Sequence, residues 1–201
     1  YRSQVAFTKA KERVYGNQTV LLDNKISEYL ASMPDNAMGM LTFYNAVAND
    51  GIYVEPHLLQ EVRRNGEVLE TVTPTLKGKV ASQNTINIAQ DLLRSVVDER
   101  GGTAHSACYD PELRIAGKTG TAQYNYGRGA KMEYMVSFAG YFPYDEPRYS
   151  VVICIYKPQG WPISGGYIAA PVAKTIARGI YSATPREIHS TTTTEVNSIE
   201  I

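Results

Sequence analysis

The amino-acid sequence predicts an α+β fold in which helices pack against an antiparallel sheet. Two segments of the first half have apolar residues at helical spacing, and three segments of the last third are rich in aromatic and β-branched residues. Turn-forming residues separate these three segments, and a further helical pattern follows them. Because helices and strands come in separate runs, an antiparallel sheet is favoured over a parallel one. A length of 201 residues is enough for one such domain.

The composition excludes several classes of protein. Hydrophobic residues make up 43% of the chain and charged residues 20%, which is sufficient for a packed core. Lys and Arg number 20, as do Asp and Glu, so the net charge is zero and no nucleic-acid partner is expected. No apolar run approaches the roughly 20 residues that span a bilayer, so no membrane segment is predicted in this chain. The chain begins at Tyr1 without a Met, and it looks cut from something longer.

The two cysteines and three histidines do not form a pattern of metal ligands or of disulfides. Their spacing matches no common metal site, so no metal or other cofactor is expected. Cys154 lies in a β-rich run and is expected to be a buried core thiol, whereas Cys108 is expected to be a loop thiol. A disulfide between the two is not predicted.

Residues 1–36 form a polar and weakly patterned N-terminal segment. Within it, Leu22, Ile26, Tyr29 and Leu30 have helical spacing. This spacing predicts one amphipathic helix in a segment that has no other assignment.

The first well-defined helix is predicted over residues 37–49. Pro34-Asp35-Asn36 breaks the chain before it and supplies an N-cap residue, and Asp50-Gly51 ends it. A second helix is predicted to begin after Ser82, its natural N-cap, and to end at Arg100-Gly101-Gly102. The apolar residues of the second helix share one face, and they are Ile86, Ala89, Leu92, Leu93, Val96 and Val97.

A β-hairpin is predicted between these two helices. Asn65-Gly66 lies between the apolar-rich segments 58–63 and 68–72. Asn-Gly favours a type I′ turn, because that turn needs positive φ at both central residues.

The last third is predicted to contain three antiparallel strands and a closing helix. The strands are expected over residues 113–124, 134–142 and 149–156, where aromatic and β-branched residues concentrate. The helix is expected over 168–181, with small residues where it packs on the sheet. Residues 185–201 lack periodicity and are predicted to be a flexible tail.

Residues 115–123 contain the most informative pattern of the sequence. An apolar lead-in places Lys118-Thr119-Gly120 on a strand, and Gly117 precedes the lysine. A glycine in an edge strand allows the backbone to approach a ligand closely and to offer its own N–H groups.

The polar side chains of this strand suggest a binding site for an anion. Lys118 together with the hydroxyl groups of Thr119 and Thr121 can bind a carboxylate and polarise a carbonyl group. We therefore predict that residues 116–123 form a sheet-edge strand and that Lys118 points into a groove open to solvent.

The Lys-Thr-Gly triplet and its context resemble the serine penicillin-binding proteins, more narrowly the class B D,D-transpeptidases of cell-wall synthesis and cell division. The signature of this superfamily is S-x-x-K, S-D-N and K-T-G. Segments 40–51, 93–104 and 138–143 are also similar to the family in order and spacing. The likeness runs from about residue 38 to residue 181, so residues 37–184 are identified as the C-terminal part of a penicillin-binding transpeptidase domain.

Two of the three signature motifs are missing from the chain. No Ser-x-x-Lys occurs anywhere in the sequence, and Thr8-Lys9-Ala10-Lys11 has only the spacing of the lysine. Ser82-Gln83-Asn84 has the form of the second motif, but it lies too near the K-T-G triplet and is expected to serve as a helix cap. The chain is therefore expected to lack the nucleophile and to be inactive alone.

The resemblance implies a function for the remaining motif. In the whole enzyme, Lys118, Thr119, Gly120 and Thr121 bind the D-Ala-D-Ala end of a peptidoglycan stem peptide, or a β-lactam that mimics it. The backbone N–H of Thr121 supplies half of the oxyanion hole. The resemblance also implies a location on the periplasmic face of the inner membrane, with an anchor upstream of this chain.

Two other functions remain open from the sequence. A fragment of a β-lactamase or β-lactam sensor would share the K-T-G strand, although the context in residues 40–51 favours a transpeptidase. A non-catalytic interaction module is the second alternative. Because the missing half would cover apolar surface, we expect either a homodimer or a compensating N-terminal segment.

Overall fold

A computed structural model describes residues 37–57, 61–124 and 132–183. The predicted N-terminal helix and the predicted tail lie outside these residues, as does the start of the first hairpin segment. The helices are α1 (Ala37–Ala48), α2 (Gln83–Asp98), α3 (His105–Cys108) and α4 (Gly165–Ala183). The strands are β1 (Ile52–Val54), β2 (Glu61–Arg64), β3 (Glu67–Thr71), β4 (Leu76–Lys79), β5 (Ala116–Tyr124), β6 (Glu133–Phe142) and β7 (Tyr149–Tyr156).

The main sheet is antiparallel and has the strand order β5-β6-β7. In its register, Lys118 lies opposite Ala139 and Gly120 lies opposite Ser137. Strand β6 is central and is therefore the most buried, while β5 is an edge strand of the described sheet. The three predicted strands are confirmed, and β5 lies at the predicted edge of the sheet that the described residues form.

Helices cover both faces of this sheet. On one face, small residues of α4 pack against β6 side chains such as Val136, Phe138 and Phe142. On the other face, α1 and α2 enclose Tyr141 and Ala116. Side chains alternate between the two faces along each strand. As a result, Lys118 lies on the face of α1 and α2, whereas Thr119 and Thr121 lie on the face of α4.

The local signals for helix α2 and for the hairpin are confirmed. Ser82 is the N-cap of α2, and its side chain accepts a hydrogen bond from the Thr85 N–H at 3.3 Å. Between β2 and β3, Asn65 and Gly66 have φ values of 54° and 90°, as a type I′ turn requires.

The expectations for the two cysteines were wrong. Cys108 is fully buried in the short helix α3, and its thiol donates to the carbonyl oxygen of Ala170 at 3.1 Å. Cys154 is only partly buried, as are the other residues of β7 from Tyr149 to Ile155. Both thiols are free. Helix α4 also begins earlier than predicted, at Gly165.

Among the described residues, no helix combines the length and the apolar character needed to cross a bilayer. Within the same residues, His, Cys, Asp and Glu form no group that could hold a metal ion.

Candidate active site

Lys118 lies in the middle of edge strand β5 and is partly buried. Its ammonium group donates to the carbonyl oxygen of Thr119 at 2.9 Å and lies 3.4 Å from the Thr119 hydroxyl oxygen. In the described part of the chain, no carboxylate forms an ion pair with it. Burial without a counter-ion lowers the pKa of Lys118 below its ordinary value. Among the described residues, the polar contacts of the Lys118 ammonium group are thus with neutral oxygen atoms of Thr119.

The hydroxyl groups of the two threonines of the motif form hydrogen bonds with other elements of the fold. The Thr119 hydroxyl lies 2.8 Å from the hydroxyl of Thr103, which is in the turn after α2. The Thr121 hydroxyl accepts the backbone N–H of Gly165, the first residue of α4, at 3.2 Å. Thr121 is exposed and Thr119 is partly exposed, so both hydroxyls are near solvent.

The glycines around the lysine are required by packing inside the protein. A Cβ atom at Gly117 would lie 2.5 Å from the ring of Phe138 and 2.6 Å from the carbonyl oxygen of Ala139. One at Gly120 would lie 2.4 Å from Ser137 Oγ. The glycines were expected to allow close approach by a ligand, and internal packing is a second reason for them.

Three residues that contact the site were not predicted from the sequence to belong to it, namely Thr103, Gly165 and Gly166. Thr103 belongs to a segment that was noted only for its family likeness. Gly165 and Gly166 precede the helix predicted over 168–181, yet they begin α4, where Gly165 packs on the motif and Gly166 on Thr103. A Cβ at Gly165 would lie 2.5 Å from the carbonyl oxygen of Gly120, and one at Gly166 would lie 2.2 Å from that of Thr103. The pair Gly165-Gly166 was the only signal in the sequence for this close approach.

Ser82 and His105 have structural roles, and Thr8 and Lys11 were noted only for their spacing. Ser82 caps α2, as predicted, and is not part of the site. Thr8 and Lys11 fall outside the described residues. His105 contacts the carbonyl oxygen of Val97 through Nδ1 at 2.9 Å, so this ring fastens the turn after α2.

Comparison with known families identifies the domain. The sequence model of one protein family, the penicillin binding protein transpeptidase domain, matches residues 18–178 of this chain. The chain belongs to this family. The match confirms the family predicted from the K-T-G segment, and it also extends into the N-terminal segment that sequence analysis left unassigned.

Curated relatives of this transpeptidase chain include proteins of class B. The chain is 38% identical over 149 residues to penicillin-binding protein PbpB of Mycolicibacterium smegmatis. This alignment covers 69% of this chain and 22% of that protein. The chain is 32% identical over 139 residues to stage V sporulation protein D of Bacillus subtilis, covering 67% of this chain and 21% of that protein. The chain thus spans about a fifth of the length of these relatives.

Solved structures confirm the α+β transpeptidase fold. Penicillin-binding protein 3 of Mycobacterium tuberculosis, in complex with aztreonam, has a TM-score of 0.62 at 33% identity, over 75% of this chain and 35% of that chain. The D,D-transpeptidase domain of a peptidoglycan glycosyltransferase from Eggerthella lenta has a TM-score of 0.61 at 27% identity, over 74% of this chain and 32% of that chain.

Proposed function

We propose that this chain supplies the carboxylate-binding strand of a peptidoglycan D,D-transpeptidase. The observation that carries the proposal is the Lys118 ammonium, which is partly buried on an edge strand, has no carboxylate partner among the described residues and lies beside a hydroxyl group. A cation in this state gains more from an anionic ligand than a solvated surface lysine does, because part of its desolvation has already occurred. The ligand is the C-terminal carboxylate of a D-Ala-D-Ala stem peptide, or that of a β-lactam.

The two threonines extend this site along the strand. Their hydroxyls donate to the ligand carboxylate, and the backbone N–H of Thr121 forms half of the oxyanion hole. Backbone polar groups of an antiparallel strand alternate between its two sides. The Thr119 carbonyl oxygen accepts a hydrogen bond from the Lys118 ammonium group, so this oxygen points to the open edge of β5. Because residues two apart in a strand direct their backbone groups to the same side, the Thr121 N–H also points to the open edge. One donor of this kind is worth about 2.7–4 kcal/mol in the transition state.

The start of helix α4 adds to the positive potential of the site. Its first N–H group donates to Thr121, and the dipole of a long helix is positive at this end. Lys118, the two hydroxyls and the helix terminus therefore all favour an anion at the same edge of β5.

The reaction proceeds in two steps in the complete enzyme. A serine hydroxyl attacks the carbonyl carbon of the D-Ala-D-Ala peptide bond, the serine proton passes to the leaving amine, and D-alanine departs. The amine of a neighbouring stem peptide then attacks the acyl carbon, the ester bond to the serine breaks, and a proton of the amine returns to the serine oxygen, which completes the cross-link. The 201 residues contain no Ser-x-x-Lys, so the nucleophile is not part of this sequence. The complete enzyme acts on the periplasmic face of the inner membrane during cell division.

A titration with a dipeptide tests the carboxylate site. N-acetyl-D-alanyl-D-alanine is added to the ¹⁵N-labelled chain and followed by NMR, with the C-terminal amide of the same dipeptide as the matched control ligand. We expect shifts at residues 118–121 with the acid and not with the amide, and their loss in Lys118→Ala. An equal response to both ligands, or unchanged binding by the variant, would contradict the proposal.

Incubation with benzylpenicillin tests the assignment of the nucleophile. Covalent capture needs an activated serine hydroxyl, so the isolated chain is expected to gain no mass. Intact-mass spectrometry measures this directly. A stoichiometric adduct that is lost in Lys118→Ala would show that the chain contains its own nucleophile.

A further inference from the structure

Thr103 lies in the turn that follows α2, outside the K-T-G strand. Its hydroxyl oxygen is 2.8 Å from that of Thr119, which in turn is 3.4 Å from the Lys118 ammonium. We propose that Thr103 is a positioning residue for the carboxylate site, and that it acts by orienting the Thr119 hydroxyl. This inference rests on the proposed function of the strand.

The turn that holds Thr103 is firmly attached at both ends. Backbone hydrogen bonds join Gly102 N to Glu99 O at 2.8 Å and Ala104 N to Val96 O at 3.1 Å. Ala104 is fully buried, which fixes the chain directly after Thr103. The Thr103 hydroxyl is therefore presented from a rigid position, although its side chain is itself exposed.

Helix α4 fixes the same turn from the other side. Gly166 approaches Thr103 so closely that a Cβ atom at Gly166 would lie 2.2 Å from the Thr103 carbonyl oxygen. The turn after α2, the strand β5 and the start of α4 thus meet at the two threonines of the motif.

Proton counting shows what Thr103 can do for Thr119. A hydroxyl has one proton to donate and two lone pairs to accept with. If Thr103 donates to Thr119, the proton of Thr119 remains available for a carboxylate at the open edge. Thr121 is in the same condition, because the Gly165 N–H occupies one of its lone pairs. The Thr103 hydroxyl would thus donate to the Thr119 hydroxyl in the same way that the Gly165 backbone N–H donates to the Thr121 hydroxyl.

The test uses near-isosteric substitutions in the full chain. Thr103→Val removes the hydroxyl and keeps the shape, Thr103→Ser keeps the hydroxyl, and Thr175→Val is the control. Thr175 also uses its hydroxyl in a hydrogen bond, to the Pro171 carbonyl oxygen, but on the exposed side of α4. We expect Thr103→Val to weaken binding of N-acetyl-D-alanyl-D-alanine about 3- to 10-fold, the value of one net hydrogen bond. Thr103→Ser should restore most of it, and Thr175→Val should leave it unchanged.

A double-mutant cycle with Thr119→Val separates positioning from direct contact. If Thr103 acts through Thr119, adding Thr103→Val to Thr119→Val causes no further loss of affinity. Additive losses would overturn the inference, because Thr103 would then contact the ligand by itself. An unchanged affinity of the Thr103→Val single variant would overturn it as well.

A measurement without ligand keeps this inference distinct from the proposed function. Three-bond ¹³C couplings report the χ1 rotamer of Thr119, which should be single in the unmodified chain and averaged in Thr103→Val. If the dipeptide does not bind and the rotamer still responds, the proposed function fails and the positioning contact stands. If the dipeptide binds through Lys118 and the rotamer does not respond, only the role of Thr103 fails.

Discussion

Replacement of Gly120 by alanine tests whether internal packing requires the glycine of the motif. The added methyl group would lie 2.4 Å from Ser137 Oγ, roughly 1 Å inside a normal van der Waals contact. The next atom, Ser137 Cβ, is 3.8 Å away, which is an ordinary contact. Ser137 is buried, so its hydroxyl has little room to move. The collision is thus confined to one oxygen atom.

We expect Gly120→Ala to lower the free energy of unfolding by about 1–3 kcal/mol, the usual cost of overpacking. For a domain of this size, each kcal/mol lowers Tm by about 2–4 °C. Ser137→Ala removes the colliding oxygen, so the double variant should regain most of the loss. The control is Gly179→Ala in α4, where the added methyl group has no neighbour within 4 Å outside its own helix. It should gain about 0.5–1 kcal/mol.

Urea unfolding followed by circular dichroism measures all four variants under one condition. The reasoning is refuted if Gly120→Ala is as stable as the unmodified chain. It is also refuted if Ser137→Ala fails to rescue the double variant, since the cost would then come from the backbone conformation of β5. The two outcomes therefore separate packing from backbone strain.

Three further predictions follow from buried polar groups. The buried Tyr141 hydroxyl has no hydrogen-bond partner among the described residues, so Tyr141→Phe should raise stability by about 1 kcal/mol in the same urea assay. Burial lowers the pKa of Lys118, so the ammonium group should lose its proton at a lower pH than an ordinary lysine does. Dipeptide affinity measured by NMR should therefore fall as the pH rises through the pKa of Lys118, and an affinity that does not change with pH would contradict this. Burial raises the pKa of Cys108 to about 11, so iodoacetamide should spare it in the folded chain and label it in urea.

The elements that sequence reasoning predicted well are those determined by nearby residues. Helix α2 has a complete apolar face and a serine cap, and the hairpin has an Asn-Gly turn. The strands β6 and β7 are long runs of strand-forming residues between turn formers, whereas β5 contains glycines and was predicted from the apolar residues that lead into it. In these segments, periodicity and turn chemistry point to the same structure that tertiary packing selects.

The elements that were missed depend on contacts distant in sequence. Strand β1 has three residues, too few to show a period, and it is defined by its pairing with β4. Gly165-Gly166 disfavours helix in isolation, but Gly165 packs against the backbone of β5 and Gly166 against the turn that holds Thr103, so neither has room for a larger side chain. Cys108 is buried because α3 packs on α4, which nothing in its own neighbourhood indicates.

The same close packing explains why the lysine and the threonines of the motif can act at one edge. Alternation along β5 places the Lys118 side chain on one face of the sheet and both threonine side chains on the other. The ammonium group reaches the Thr119 oxygens only by bending around the strand edge. On the opposite face, glycines let α4 approach β5 closely enough for the Gly165 N–H to reach Thr121. A larger residue at Gly165 would collide with the backbone of Gly120, 2.5 Å from its carbonyl oxygen, and would displace that donor, so the close approach of α4 positions the Thr121 hydroxyl.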